Sequence, residues 1–86
     1  MKLKKEYISY PLEGNMILVG TGNAEFKGMA KANPTAAFVL NCLSKDISEE
    51  ELISRMLEKY DADRDVIEKD VTAILNKLRS IGALEE

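Results

Sequence analysis

The pattern of apolar and polar positions changes character at Asn33. Before it, short β-rich runs are separated by glycine-bearing turns; after it, apolar residues recur at helical spacing. Tyr7 to Leu12 and Met16 to Gly20 flank Glu13-Gly14-Asn15, whose Gly and Asn tolerate positive φ, so the segment predicts a β-hairpin. Thr21-Gly22-Asn23 then turns the chain into Glu25 to Ala32. There Phe26, Gly28, Ala30 and Ala32 share one side and Lys27, Met29 and Lys31 the other, which predicts a third strand. Gly28 weakens that strand and lets another backbone come close.

Asn33-Pro34-Thr35-Ala36 carries three helix-start signals. Asn accepts from the amide of residue 35 or 36, Pro suits the first helical position, and Pro disfavours helix in the residue before it. The run to Ser44 is almost wholly apolar, with Ala36, Val39, Leu40 and Leu43 on one stripe, as expected of a central helix covered on several sides. Ser48-Glu49-Glu50-Glu51 reads as a capping box with Ile47 and Leu52 in the staple positions. Leu52, Ile53, Met56, Leu57 and Tyr60 then mark one face of a second helix. Asp61-Ala62-Asp63 breaks this helix and is expected to cap a third. Its stripe Ile67, Val71, Ile74, Leu75, Leu78 runs to Ile81 before Gly82 supplies a left-handed stop. The expectation is an α+β, winged-helix-like fold: a three-stranded antiparallel sheet followed by a three-helix bundle (βββααα), in one domain over residues 1–86.

Composition narrows the chemistry. At 86 residues and 9.6 kDa, about 60 to 65% of the unfolded surface is buried on folding, which leaves little room for a deep catalytic cleft. The chain has no His and one cysteine, Cys42. This removes His-dependent nucleophilic sites, any internal disulfide and the commonest metal ligand; no cofactor and no metal are expected. Cys42, between Leu40 and Leu43 on the most apolar helix, reads as a small buried hydrophobe. Carboxylates cluster at Glu49 to Glu51, Asp61 to Asp65 and Glu68 to Asp70, where helix starts account for them. Gly20-Thr21-Gly22 has Glu25 where a dinucleotide loop needs its third glycine, and no helix opens there. The longest apolar run, Ala36 to Leu40, is far short of the roughly 20 residues of a membrane span. Met1 to Leu12 carries Lys2, Lys4 and Lys5, but Glu6, Tyr7, Ser9 and Tyr10 interrupt what would have to be an apolar signal-peptide segment. A cytoplasmic protein that does not act at a membrane is expected.

The third strand offers a site. In a three-stranded meander one outer strand is an edge whose unpaired N–H and C=O groups can accept an extended peptide as an added strand. If the third helix packs alongside Phe26 to Ala32, its margin of Val66, Asp70, Ala73, Ile74 and Lys77 forms the opposite wall of a groove. The alternative is that Lys27 and Lys31 are charges that protect the edge from aggregation. Periodicity leaves both open.

The order of elements, Ala32-Asn33-Pro34-Thr35-Ala36-Ala37-Phe38-Val39-Leu40, the Ile47-Ser48-Glu49-Glu50-Glu51-Leu52 start, and Asp70-Val71 followed by Ile74-Leu75, Leu78 and Gly82-Ala83-Leu84 together resemble the PqqD-like family over nearly the whole chain. The resemblance implies a non-catalytic recognition element for the leader of a ribosomally made precursor peptide. The leader lies as a fourth antiparallel strand between the third strand and the third helix, and a partner enzyme, often a radical SAM maturase, modifies the core peptide. By position, Phe26, Lys27, Gly28, Met29, Ala30 and Lys31 would supply backbone hydrogen bonds. Val66, Ala73 and Ile74 would supply apolar contacts, and Asp70 and Lys77 would set polarity. An unoccupied edge pairs readily with its own copy, so either a monomer or a homodimer is expected.

A winged helix also suits DNA. From Arg64 to Arg79, however, four cations stand against three carboxylates, and the whole chain carries a net charge of -3, so the phosphate attraction that supports nucleic-acid binding is missing. No nucleic-acid partner is expected.

Overall fold

The computed structural model describes residues 1–13, 15–22, 24 and 28–86. The chain runs β1 (Lys2–Leu3), β2 (Tyr7–Leu12), β3 (Asn15–Gly20), β4 (Met29–Ala32), α1 (Pro34–Cys42), α2 (Glu49–Lys59), α3 (Arg64–Ser80) and β5 (Leu84–Glu85). β2, β3 and β4 form an antiparallel sheet in that order, and the three helices follow it, as the α+β reading expects. Leu12 pairs with Asn15, so Glu13 lies in the hairpin connection, and it takes a positive φ of 51°; Gly14 lies outside the described residues.

Of the third strand expected over Glu25 to Ala32, Met29–Ala32 is strand and Gly28 sits in a bend before it; Glu25, Phe26 and Lys27 lie outside the described residues. Gly28 has no side chain to pack and adds nothing to the ladder. Upstream, Ala24 donates its amide to the Thr21 carbonyl at 3.0 Å and is itself buried in the core.

α1 begins as its signals require: the Asn33 side chain accepts from the Ala36 amide at 2.8 Å, with Pro34 at the first helical position. It ends at Cys42, short of Ser44, whose hydroxyl donates to the Asn41 carbonyl. Ser48 accepts from the Glu51 amide at 3.0 Å to open α2, with Ile47 and Leu52 both buried. At α3 the expected cap is absent. Asp63 holds the N-cap position but makes no side-chain capping bond; instead Asp65 accepts from the Val66 amide, and Arg64 is paired with Glu50 and Glu68. The far end closes as a Schellman motif. Gly82, at φ 71°, donates to the Arg79 carbonyl and Ala83 to that of Leu78.

One apolar cluster joins all of this: Val39, Leu40 and Leu43 around α1, Met56 and Leu52 from α2, Val71 and Leu75 from α3, and Tyr7, Leu18 and Ala32 from the sheet. No polar or charged residue is buried among the described residues. A second, two-stranded pairing of β1 with β5 was not foreseen, because two residues carry no periodicity. It follows the Gly82 stop, which directs Ala83 and Leu84 into the core, and places the Tyr7 hydroxyl where it donates to the Ile81 carbonyl.

Tyr7→Phe should therefore lower the unfolding free energy by about 1 kcal/mol, measured by urea denaturation followed by circular dichroism. Glu13→Asn should raise it by about 0.5 kcal/mol, since Asn tolerates the left-handed position at lower cost than Glu.

Candidate functional site

Among the described residues, two strands of the sheet have an open side, β2 and β4. They are not equivalent. β2 carries Pro11, which has no N–H to offer and blunts that side. β4 carries no proline, and because antiparallel pairing uses alternate residues, its remaining N–H and C=O groups point away from β3. Ala32 is buried and Ala30 half-buried toward the core, while Met29 and Lys31 are exposed on the other face. This is the partition expected from sequence for the described part of the strand.

On α3 the buried stripe is Ile67, Val71, Leu75 and Leu78. Helical spacing sets Val66, Asp70, Ala73 and Lys77 together along one flank of it, all exposed, with Ile74 half-buried between the flank and the core. α3 packs mainly on α2, and also on α1 and β5, whereas β4 packs on β3 and α1. α1 is thus the support shared by both halves of the candidate site. Of the residues singled out from sequence, Met29, Ala30, Lys31, Val66, Asp70, Ala73, Ile74 and Lys77 all reach the surface or its margin, and Gly28 sits in the bend entering β4. Phe26 and Lys27 lie outside the described residues.

Among the described residues no cluster of His, Cys, Asp or Glu comes together that could hold a metal ion. Burial pushes the Cys42 thiol up, and the neighbouring Arg55 only partly opposes this. A concavity of about 330 Å³ opens where β3 and β4 meet α1 and α2. There Phe38 and Tyr60 pack edge-to-face at 6.0 Å, and the Lys59 ammonium lies 5.6 Å from the Phe38 ring. Its lining has no carboxylate, thiol or imidazole, hence no acid–base pair of the usual kind. On α3, Arg64 pairs with Glu50 and Glu68, and Arg79 with Glu86. These pairings withdraw two of that helix's four cations from phosphate contact.

Residues 10–84 match the family described as coenzyme PQQ synthesis protein D (PqqD). The chain belongs to the PqqD family. Its fold is similar to that of TbiB1 in complex with the TbiA(beta) leader peptide, with a TM-score of 0.83 and 19% identity over 99% of this chain and 95% of the other. It is also similar to lasso peptide synthetase B1 complexed with the leader peptide, with a TM-score of 0.79 and 20% identity over 99% and 96%. Among curated proteins none matches the sequence. No described helix is long and apolar enough to cross a membrane.

A thiol kept neutral by burial should react slowly. In this PqqD-family chain, iodoacetamide should label Cys42 much more slowly in the folded protein than in urea, and the rate should rise only above the unfolded thiol's pKa of about 8.5. Equal rates at pH 8 by mass spectrometry would contradict a structural role.

Proposed function

We propose that this chain captures the leader of a ribosomally made precursor peptide as an added antiparallel strand on β4, with the flank of α3 as the second wall. It performs no chemistry itself and hands the peptide to a modifying enzyme of the same pathway, for which a radical SAM enzyme is our reading. The setting is the cytoplasm. The observation that carries this is the asymmetry of the sheet: β2 is blunted by Pro11, while β4 is open and short. Membership in the PqqD family supports it, as does the likeness in fold to two proteins described in complex with leader peptides.

The physical division of labour follows from strand addition. Main-chain hydrogen bonds along β4 supply affinity without regard to sequence, and alternate leader side chains are read by the apolar positions Val66, Ala73 and Ile74. Asp70 and Lys77 on the same flank set polarity, and Lys31, with Lys27 four positions earlier in sequence, favours an acidic leader. Phe26 to Gly28 extend the backbone contact upstream of β4 in this reading. A DNA-binding role is disfavoured by the carboxylates engaged with Arg64 and Arg79.

Fluorescence polarisation with a labelled synthetic leader, taken from the precursor encoded with this chain, tests the reading. Val66→Asp, at a 47% exposed position, should keep its circular dichroism spectrum and weaken binding about tenfold. Ile74→Asp should weaken it more, because it sets a charge among apolar neighbours. Lys31→Glu should slow association at low salt and matter less at high salt. Duplex DNA titrated at two salt concentrations should give no steep log–log dependence. Leader affinity unchanged in a folded Val66→Asp and a folded Ile74→Asp would reject α3 as a wall of the site.

A further inference from the structure

The sheet has a second face that the helices leave uncovered. Register sets Ile8, Tyr10 and Leu12 of β2, Ile17 and Val19 of β3, and Met29 of β4 on one side. This side is opposite to Leu18 and Ala32, which belong to the core. Ile17 is buried yet stands outside the core cluster, flanked across the strands by Tyr10 and Lys31. Ile8 is 50% exposed, Tyr10 38%, Leu12 48% and Met29 68%; the one other large apolar side chain exposed among the described residues is Val66. Apolar exposure gathered on a single surface marks a contact site, whereas the same residues scattered singly would need no explanation.

We propose that this outer face is the docking surface for the enzyme that modifies the captured peptide. The partner surface that fits is flat and apolar, with a carboxylate opposite Lys31, the one charged side chain that the described strand register puts on this face. Two observations favour this occupant over a second copy of the chain. Three strands about 4.8 Å apart, each some five residues long at about 3.4 Å per residue, present roughly 240 Å². So small a footprint suits a transient contact rather than a stable self-pair. In addition, Met29 and Lys31 belong both to this face and to the strand that would receive the guest. A guest strand on β4 would widen the same face by one strand, so a protein seated there touches carrier and cargo together. The choice of partner rests on the proposed peptide-binding role, while the exposed face itself does not.

The test uses the full chain and the purified modifying enzyme encoded with it, comparing wild type with Ile8→Glu, Leu12→Glu and, as a control on α3, Thr72→Glu. Enzyme affinity by titration calorimetry should fall at least tenfold for Ile8→Glu and Leu12→Glu and stay at the wild-type value for Thr72→Glu. Circular dichroism and leader affinity by fluorescence polarisation should be unchanged in all three. Unchanged enzyme affinity in both sheet variants, or no binding of the enzyme to wild type, overturns the proposal. So does a wild-type dimer in sedimentation that Ile8→Glu dissolves, since the face then belongs to a second copy. If the leader does not bind wild type but Ile8→Glu still loses the enzyme, the docking surface stands and the role of β4 falls.

Discussion

The burial of α1 is the constraint on which the rest of the molecule depends. A three-stranded sheet needs something to pack against one face, and α2 and α3 each have only one apolar side to bury. Val39, Leu40 and Leu43 meet both needs, because they lie in the same cluster as Leu18 and Ala32 on one side and Met56, Val71 and Leu75 on the other. In a chain of 86 residues there is no second core to take over. Both walls of the proposed peptide site therefore hang on one helix, β4 through its packing on α1 and α3 through its packing on α1 and α2.

That economy explains why open surface is available for recognition. One short helix cannot cover a whole sheet, so β2 beyond Tyr7 is exposed on both faces, and among the described residues the outer face keeps Ile8, Tyr10, Leu12 and Met29 exposed. Pro11 protects one edge from unwanted pairing, and β4 is left as the edge able to pair. Charges are divided in a similar way. The arginines at the two ends of α3 are tied to carboxylates of α2, α3 and the carboxyl-terminal segment, whereas Lys31 stands exposed on β4. With no histidine in the chain, little of this charge pattern changes between pH 5 and 8. Recognition by such a surface depends on shape, backbone pairing and fixed charge.

The helices could be read closely from local signals. Asn33-Pro34 and Ser48 act within one turn of the helices they start, and Gly82 within one turn of the helix it ends, so their effect does not depend on the rest of the fold. The flank Val66, Asp70, Ala73, Lys77 was equally readable, because 3.6 residues per turn sets its position beside the buried stripe whatever α3 packs on. Asp63 shows the limit of this reasoning: it has the residue type and position of a cap but makes no side-chain capping bond, and Asp65 accepts from the Val66 amide instead.

The strands were less readable, because their pairing is settled by distant residues. Alternation placed Gly28 in the third strand, whereas it lies in a bend before Met29, since alternation is a property of side chains and Gly28 has none to anchor it in the ladder. The β1–β5 pairing joins opposite ends of the chain and has no local signature. Alternation also aligned Ile8, Tyr10 and Leu12, but which side of the sheet α1 would cover was set only when the helices closed over Leu18 and Ala32. Periodicity assigns residues to a face through bond geometry within one segment, whereas which face stays wet depends on the volume of the elements that arrive to cover it.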